Sequence, residues 1–369
     1  MKKILIFTYM LNNYGAVLQS YALQKYLTKY CGLDVCVVDY ETSLHRQKNK
    51  IFKKHSTNIV IQVGMLAATV LRYFSLRRRK VRTKNFKDKY MCFTPKYTSM
   101  KDFIDNIPNA DVYLSGSDQV FNPKGLDRDV YYLNFNKGNG IKVAYAPSFG
   151  VTTYSDEDKC YIKERLSDFD ALSCREVDGA EFISSILEKN VTTVVDPTLL
   201  LSAEEWSNVS IRPNEKKDYI CIYDLNGGEA LISIAKKIQD KTGYKIYCIT
   251  DKAQKNYDVD KQIYDAGPAE FVGWIQNAAC VVTDSFHGTM FSLKFSVPFY
   301  TYIAVPSSSG RITNILGRLN LSDRIIENGK TSIWVYNTNE IKDYSKELES
   351  LISYSKLFID NELFCYDRK

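Results

Sequence analysis

The sequence predicts an α/β protein of two parallel-sheet domains that face each other across a cleft. Three observations carry this. The chain has 369 residues, and single cores ordinarily stop growing at roughly 250. Its short apolar runs are continuous and not alternating, the pattern of strands covered on both faces. Helically spaced stretches separate those runs, and strand–helix–strand alternation produces parallel sheets.

The first run, Ile4 to Thr8, feeds a loop containing Asn12, Asn13, Tyr14 and Gly15. In Ala16 to Tyr30 the residues Val17, Leu18, Tyr21, Leu23 and Leu27 recur at roughly helical spacing, and Val35 to Val38 is the next buried run. Asp111 to Leu114 leads into Ser115-Gly116-Ser117-Asp118, and Lys142 to Ala146, Ala171 to Ser173 and Thr193 to Val195 continue the series. Each strand ends in small or polar residues. Open α/β sheets bind ligands outside the carboxyl ends of their strands, so these loops are the candidate sites.

After Arg212-Pro213-Asn214 the pattern restarts, with strands at Tyr219–Tyr223, Lys245–Thr250 and Cys280–Thr283 and helices at Glu229–Lys241 and Ala269–Ala278. The expected organisation is a Rossmann-like domain over 1–205 on the acceptor side and a second over 215–335 on the donor side. A tail over 336–369, helical from Asn339 to Asp360, is expected to pack back on the first domain. A basic insertion occupies 45–90.

Hydrophobic residues at 45% and charged residues at 25% suit a globular chain and exclude a disordered or fibrous one. The net charge of +6 is unevenly spread: Arg46 to Lys89 holds fourteen Lys or Arg against one acid, Asp88, so +13 sits there and −7 remains elsewhere. Such a patch attracts phosphates or an anionic membrane, or is a solvated helix face. No nucleic-acid-binding fold accompanies it, so nucleic acid is not an expected partner. The nine cysteines include no CxxC pair, which suggests neither a metal nor a redox dithiol and fits a reducing cytoplasm. The apolar run after Lys2-Lys3 is too short for a signal peptide. Ile59 to Phe74, about sixteen residues, falls short of the roughly twenty that span a bilayer.

Of three histidines, His45 and His55 fall in the basic stretch and are expected at the surface. His287 lies in a strand-to-helix turn beside Ser285, Gly288 and Thr289, where backbone N–H groups at a helix start can meet an anion. An imidazole there can serve as general acid or hold phosphate. Its bland alternative is a capping or core histidine.

Several segments share a further pattern: Asn13-Tyr14-Gly15 with the helix Gln19 to Gln24, Gly116 to Asn122, Arg175-Glu176, Asp196 to Leu200, Asp284 to Gly288, and Arg311-Ile312 ahead of Leu316. In order and spacing, from about residue 10 to about residue 320, they resemble the polysaccharide pyruvyl transferase family. Two departures stand out. Phe121 replaces the usual Trp, and the basic insertion lies outside the motif set.

The resemblance implies a GT-B-like arrangement without a nucleotide sugar, and phosphoenolpyruvate as donor substrate with no further cofactor. The implied reaction moves the pyruvyl group onto two hydroxyls of one sugar as a cyclic ketal and releases phosphate, in exopolysaccharide, capsule or cell-wall glycan synthesis. His287 becomes the acid and base candidate, with Arg311 and Asp118 as its catalytic companions. Arg175 is the second guanidinium for the donor's anionic groups, helped by Ser285, Gly288 and Thr289. Asn13, Tyr14, Gly15, Gly116, Ser117, Gln119 and Asn122 are expected to receive the acceptor.

Other readings stay open at this stage. Arg175 and Arg311 can be structural ion pairs, Asp118 a helix cap, and Asp196-Pro197-Thr198 interdomain structure before site. The function has two rivals, a nucleotide-sugar glycosyltransferase of the same fold and a non-catalytic glycan-binding member of the family. If the acceptor is lipid-linked, residues 59–80 suit a peripheral contact at the inner membrane face.

Overall fold

The structure is a computed structural model describing residues 1–10, 13–43, 45, 70–135, 140–216, 218–252, 256–304, 310–327 and 342–364. Its first domain holds a six-stranded sheet in the order β2-β1-β3-β4-β5-β6. These strands are β1 Lys3–Phe7, β2 Asp34–Val37, β3 Val112–Ser115, β4 Ile141–Ala144, β5 Ala171–Cys174 and β6 Thr192–Thr193. The second domain repeats the plan in the order β12-β11-β10-β7-β8-β9. Its strands are β7 Tyr219–Tyr223, β8 Lys245–Ile249, β9 Lys261–Ile263, β10 Cys280–Thr283, β11 Phe299–Ile303 and β12 Ile325–Glu327. Every strand pair is parallel. The two-domain parallel-sheet fold expected from the sequence is the one observed.

The helices, in chain order, are α1 Tyr14–Lys29, α2 Tyr73–Tyr90, α3 Met100–Asn106, α4 Arg128–Tyr131, α5 Asp156–Leu166, α6 Val177–Leu187, α7 Ala203–Ser207, α8 Glu229–Thr242, α9 Pro268–Gln276, α10 Phe286–Lys294, α11 Gly310–Arg318 and α12 Ser345–Phe364. Two local choices matter for the site. Asn13 caps α1 by accepting the Gly15 N–H, and Ser285 caps α10 by accepting that of Gly288. Both caps hold helix starts at the cleft.

Each sheet has its own apolar layer, but the largest core runs through both domains. Tyr14 stacks on Phe271 with ring centroids 4.7 Å apart, and Trp206 meets Phe291 edge to face at 4.9 Å. A large apolar interface resists relative domain motion. α12 runs back over the first domain, where the Ser355 hydroxyl accepts the Val195 N–H at 2.9 Å and Phe358 faces Tyr145. Its leading residue Tyr344 donates to Leu293 O in the second domain at 3.0 Å.

The basic insertion is partly structural. On α2, Arg79 lies 4.4 Å from the centroid of the Tyr14 ring, and Arg82 pairs with Asp265 at 3.1 Å and with Glu270 at 3.0 Å. A purely solvated face is therefore corrected to a strap between domains. Residues 59–69 of the expected membrane contact, and His55, lie outside the described residues. Among the described residues no helix is long and apolar enough to cross a membrane.

Candidate active site

A cavity of about 660 Å³ opens between the carboxyl ends of the two sheets, lined by Asn13, Asp118, Gln119 and Asn122 on one side and by Ser285, Phe286, His287 and Arg311 on the other. Strand ends converge here because parallel strands deliver every following loop to one edge.

At the base of the cavity lies a buried charge cluster. Arg175, just beyond β5, places Nη1 2.8 Å from Asp196 Oδ2 and Nε 3.3 Å from Glu176 Oε1. The Ser117 hydroxyl donates to the same Asp196 oxygen at 3.0 Å, while Asp196 Oδ1 accepts the Thr198 N–H and hydroxyl at 3.0 and 2.7 Å. His287 Nε2 stands 3.7 Å from Asp196 Oδ2, beyond hydrogen-bonding distance. Burial alone raises the Asp196 carboxyl. The His287 imidazole, Arg175 and the Thr198 amide outweigh it and hold that carboxyl well below the ordinary range. For Arg175 burial works against the charge, and Glu176, Asp196 and Asp118 more than reverse this.

Two atoms of the cluster are incomplete. Arg175 Nη2 and His287 Nε2 are buried with no hydrogen-bond partner among the described residues. Buried polar atoms are ordinarily satisfied, and exceptions at a cavity point to a missing ligand. Nη2 faces Asp118 Oδ1 at 3.9 Å, too far for a hydrogen bond.

Asp118 has φ 74° and ψ −171°, a region that only glycine enters freely. Its carbonyl accepts from Val120 N and Ser148 N, both at 2.8 Å, which pins the loop in place. The side chain makes no cap bond although the residue stands before the 3-10 turn Gln119–Phe121. The capping alternative is thereby removed, and the carboxylate lines the cavity.

Phe286 separates the two candidate guanidiniums, with Arg175 Cζ 4.3 Å and Arg311 Cζ 5.9 Å from its ring centroid. Arg311 makes no ion pair among the described residues. Burial pushes its guanidinium down, and neighbouring Arg175 adds to this while Asp118, Glu176 and Asp196 oppose. A partly buried cation beside a second cation is costly unless an anion offsets it.

The sequence profile described as polysaccharide pyruvyl transferase matches residues 13–305. The chain belongs to that family. No curated protein matches it. Among solved structures it is similar to the S. aureus MnaA–UDP co-structure, at 12% identity over 98% of this chain and 89% of that chain, with a TM-score of 0.48. It is also similar to the UDP-GlcNAc 2-epimerase from Neisseria meningitidis bound to UDP-GlcNAc, at 11% identity over 97% and 93% of the chains and a TM-score of 0.46. The E. coli heptosyltransferase WaaC with ADP gives 11% identity over 88% and 92% and a TM-score of 0.40.

In this pyruvyl transferase family member several expected ligand residues have other tasks. Gly288 donates to Ser285 Oγ at 3.3 Å, and Thr289 N donates to Ser285 O at 3.0 Å, so neither amide is open to a donor. A Cβ on Gly288 would fall 2.7 Å from Thr283 Oγ1, which explains the glycine by packing. Tyr14 is corrected from acceptor contact to interdomain wedge, buried with its hydroxyl donating to Ala266 O at 2.9 Å. Gly116 packs on Ile6 and Thr8, and Ser117 belongs to the charge cluster. Gly15 admits the His287 ring, while Asn13, Gln119 and Asn122 line the cavity.

His45 is also corrected. It is 3% exposed, edge-on to Tyr9 and Tyr40, and lines the cavity with its Nδ1 3.5 Å from Asp127 Oδ2. Charge density along the chain gave no sign of this, because the aromatic neighbours are distant in sequence. Asp196, read from the sequence as interdomain structure before site, lies at the centre of the charge cluster, and Phe286, a motif letter given no role, lines the cavity. No group of three or more His, Cys, Asp or Glu that could hold a metal occurs among the described residues.

Proposed function

We propose that this cleft transfers the pyruvyl group of phosphoenolpyruvate onto two hydroxyls of a glycan sugar, forming a cyclic ketal and releasing phosphate. The observation carrying this reading is that Arg311 and His287, whose Nε2 has no hydrogen-bond partner among the described residues, line one cavity, with the equally unpartnered Arg175 Nη2 buried against Phe286 beside them. A small donor with a carboxylate and a phosphate answers that demand.

The chemistry balances with the residues at hand. His287 gives a proton to the enol methylene, making C2 electrophilic, and one sugar hydroxyl adds there as Asp118 takes its proton. Phosphate then leaves from C2, and the second hydroxyl closes the ketal. Of the two hydroxyl protons released, one replaces that spent on the methylene and one leaves with phosphate. Arg311 and Arg175 offset the phosphate charge as the C–O bond breaks.

The test is phosphate release from phosphoenolpyruvate with galactose, mannose and N-acetylhexosamine acceptors, wild type beside His287→Ala. Acceptor-dependent release that the variant loses supports the reading. No release together with no calorimetric binding of phosphoenolpyruvate rejects the donor, and the nucleotide-sugar reading then takes first place.

A further inference from the structure

The outer face of α2 is unlike the rest of the surface. Ten large apolar side chains are exposed among the described residues, and four of them, Val70, Leu71, Phe74 and Val81, fall within twelve positions. Leu71 is 81% and Phe74 73% exposed. Within α2, Phe74, Arg77, Val81 and Lys84 follow one another at steps of three or four, which places them on one helix face, and the exposed Val70 and Leu71 lie just before the helix starts. Residues 70–90 carry nine Lys or Arg against the single acid Asp88.

The inner face explains why this helix is held firmly. Leu76, Thr83 and Phe86 are buried, with Phe86 edge-on to Tyr21 at 5.4 Å. Arg78 and Arg82 reach Asp265 of the second domain, each at 3.1 Å. Lys87 Nζ donates to Met10 O at 3.3 Å, beside the loop that enters the cavity.

We infer that the outer face of α2, with the exposed Leu71 just before it, docks on an anionic lipid surface, with Leu71, Phe74 and Val81 entering the interface and Arg77 and Lys84 meeting lipid phosphates. Three physical arguments select this occupant. Polyanions such as nucleic acid reward the cations but leave exposed leucine and phenylalanine unpaid by any burial. A second copy would bring two strongly basic faces together, which Coulomb repulsion opposes. An anionic bilayer takes both the apolar and the basic side chains, and a helix lying in its plane needs no spanning length. The inference is independent of the donor: it concerns where the enzyme works, and the docking helix also joins the two walls of the cleft.

The experiment is co-sedimentation of the full chain with phosphatidylcholine vesicles and with vesicles containing about one third phosphatidylserine. Partitioning onto the anionic vesicles should be about tenfold or more above that onto neutral ones, and fall as salt is raised. Leu71→Asp with Phe74→Asp, and separately Arg77→Glu with Lys84→Glu, should each reduce it about tenfold or more while phosphate release in solution stays unchanged. Equal binding to both vesicle types, no binding, or binding retained by both variants overturns the inference. So does a concentration-dependent dimer in sedimentation velocity that the Leu71→Asp, Phe74→Asp variant abolishes, which would assign the face to a second copy.

Discussion

The His287 ring, carried by the second domain, lies directly over the backbone of Gly15 in the first, so close that a Cβ built on Gly15 would fall 2.0 Å from Nδ1. The two helix starts that bound the cleft therefore touch through an imidazole and a glycine. Their separation is set by the absence of one methyl group. Gly15→Ala should displace His287 from Asp196 or hold the domains apart. Because misplacing a catalytic group by about 1 Å costs about 100-fold, phosphate release should fall by at least that factor. Normal activity in this variant would mean that the ring can move without consequence.

Asp196 is the centre of the buried cluster, and its ionised form is what Arg175 requires. Asp196→Asn leaves a buried guanidinium short of charge and should destabilise the fold by about 3–5 kcal/mol in urea unfolding. The sign of its pH dependence follows from the depressed carboxyl. The stability from ionised Asp196 is complete above the unfolded carboxylate value of about 4 and declines as pH falls toward the lower folded value. The gap between wild type and variant should be level above about pH 4 and narrow in stronger acid. A gap that widens on acidification would contradict this account.

Asp118 holds a strained backbone with φ 74°. Asp118→Gly relieves that strain and removes the carboxylate together. The variant should gain about 1 kcal/mol or more in unfolding free energy while losing acceptor-dependent turnover, a stability–activity exchange. Turnover unchanged in the glycine variant would remove Asp118 from the chemistry.

Arg311 makes no ion pair among the described residues and lines the cavity. Arg311→Met should raise the KM for phosphoenolpyruvate about tenfold or more, with Arg311→Lys intermediate because an ammonium lacks the planar fork. Calorimetric titration with the donor checks this apart from catalysis. Equal affinity in all three proteins would assign the donor's anionic groups elsewhere.

Much of this protein was determined by the sequence alone. Continuous apolar runs such as Tyr219–Tyr223 and Cys280–Thr283 can be stable only as strands covered on both faces, so two parallel sheets with their loops at one edge follow from local pattern. The polar letters after those strands, Ser117-Asp118 and Ser285 to Gly288, mark that edge. Only the tertiary structure decided which letters face the cavity. Tyr14 turns into the domain interface and stacks on Phe271, His45 is buried by Tyr9 and Tyr40, and the Gly288 and Thr289 amides are absorbed by the Ser285 cap. Asp196 meets His287 across 91 positions of chain, at 3.7 Å. The reason is that periodicity reports a residue's exposure within its own element, whereas burial and pairing at a cleft depend on what a second domain brings to the same point.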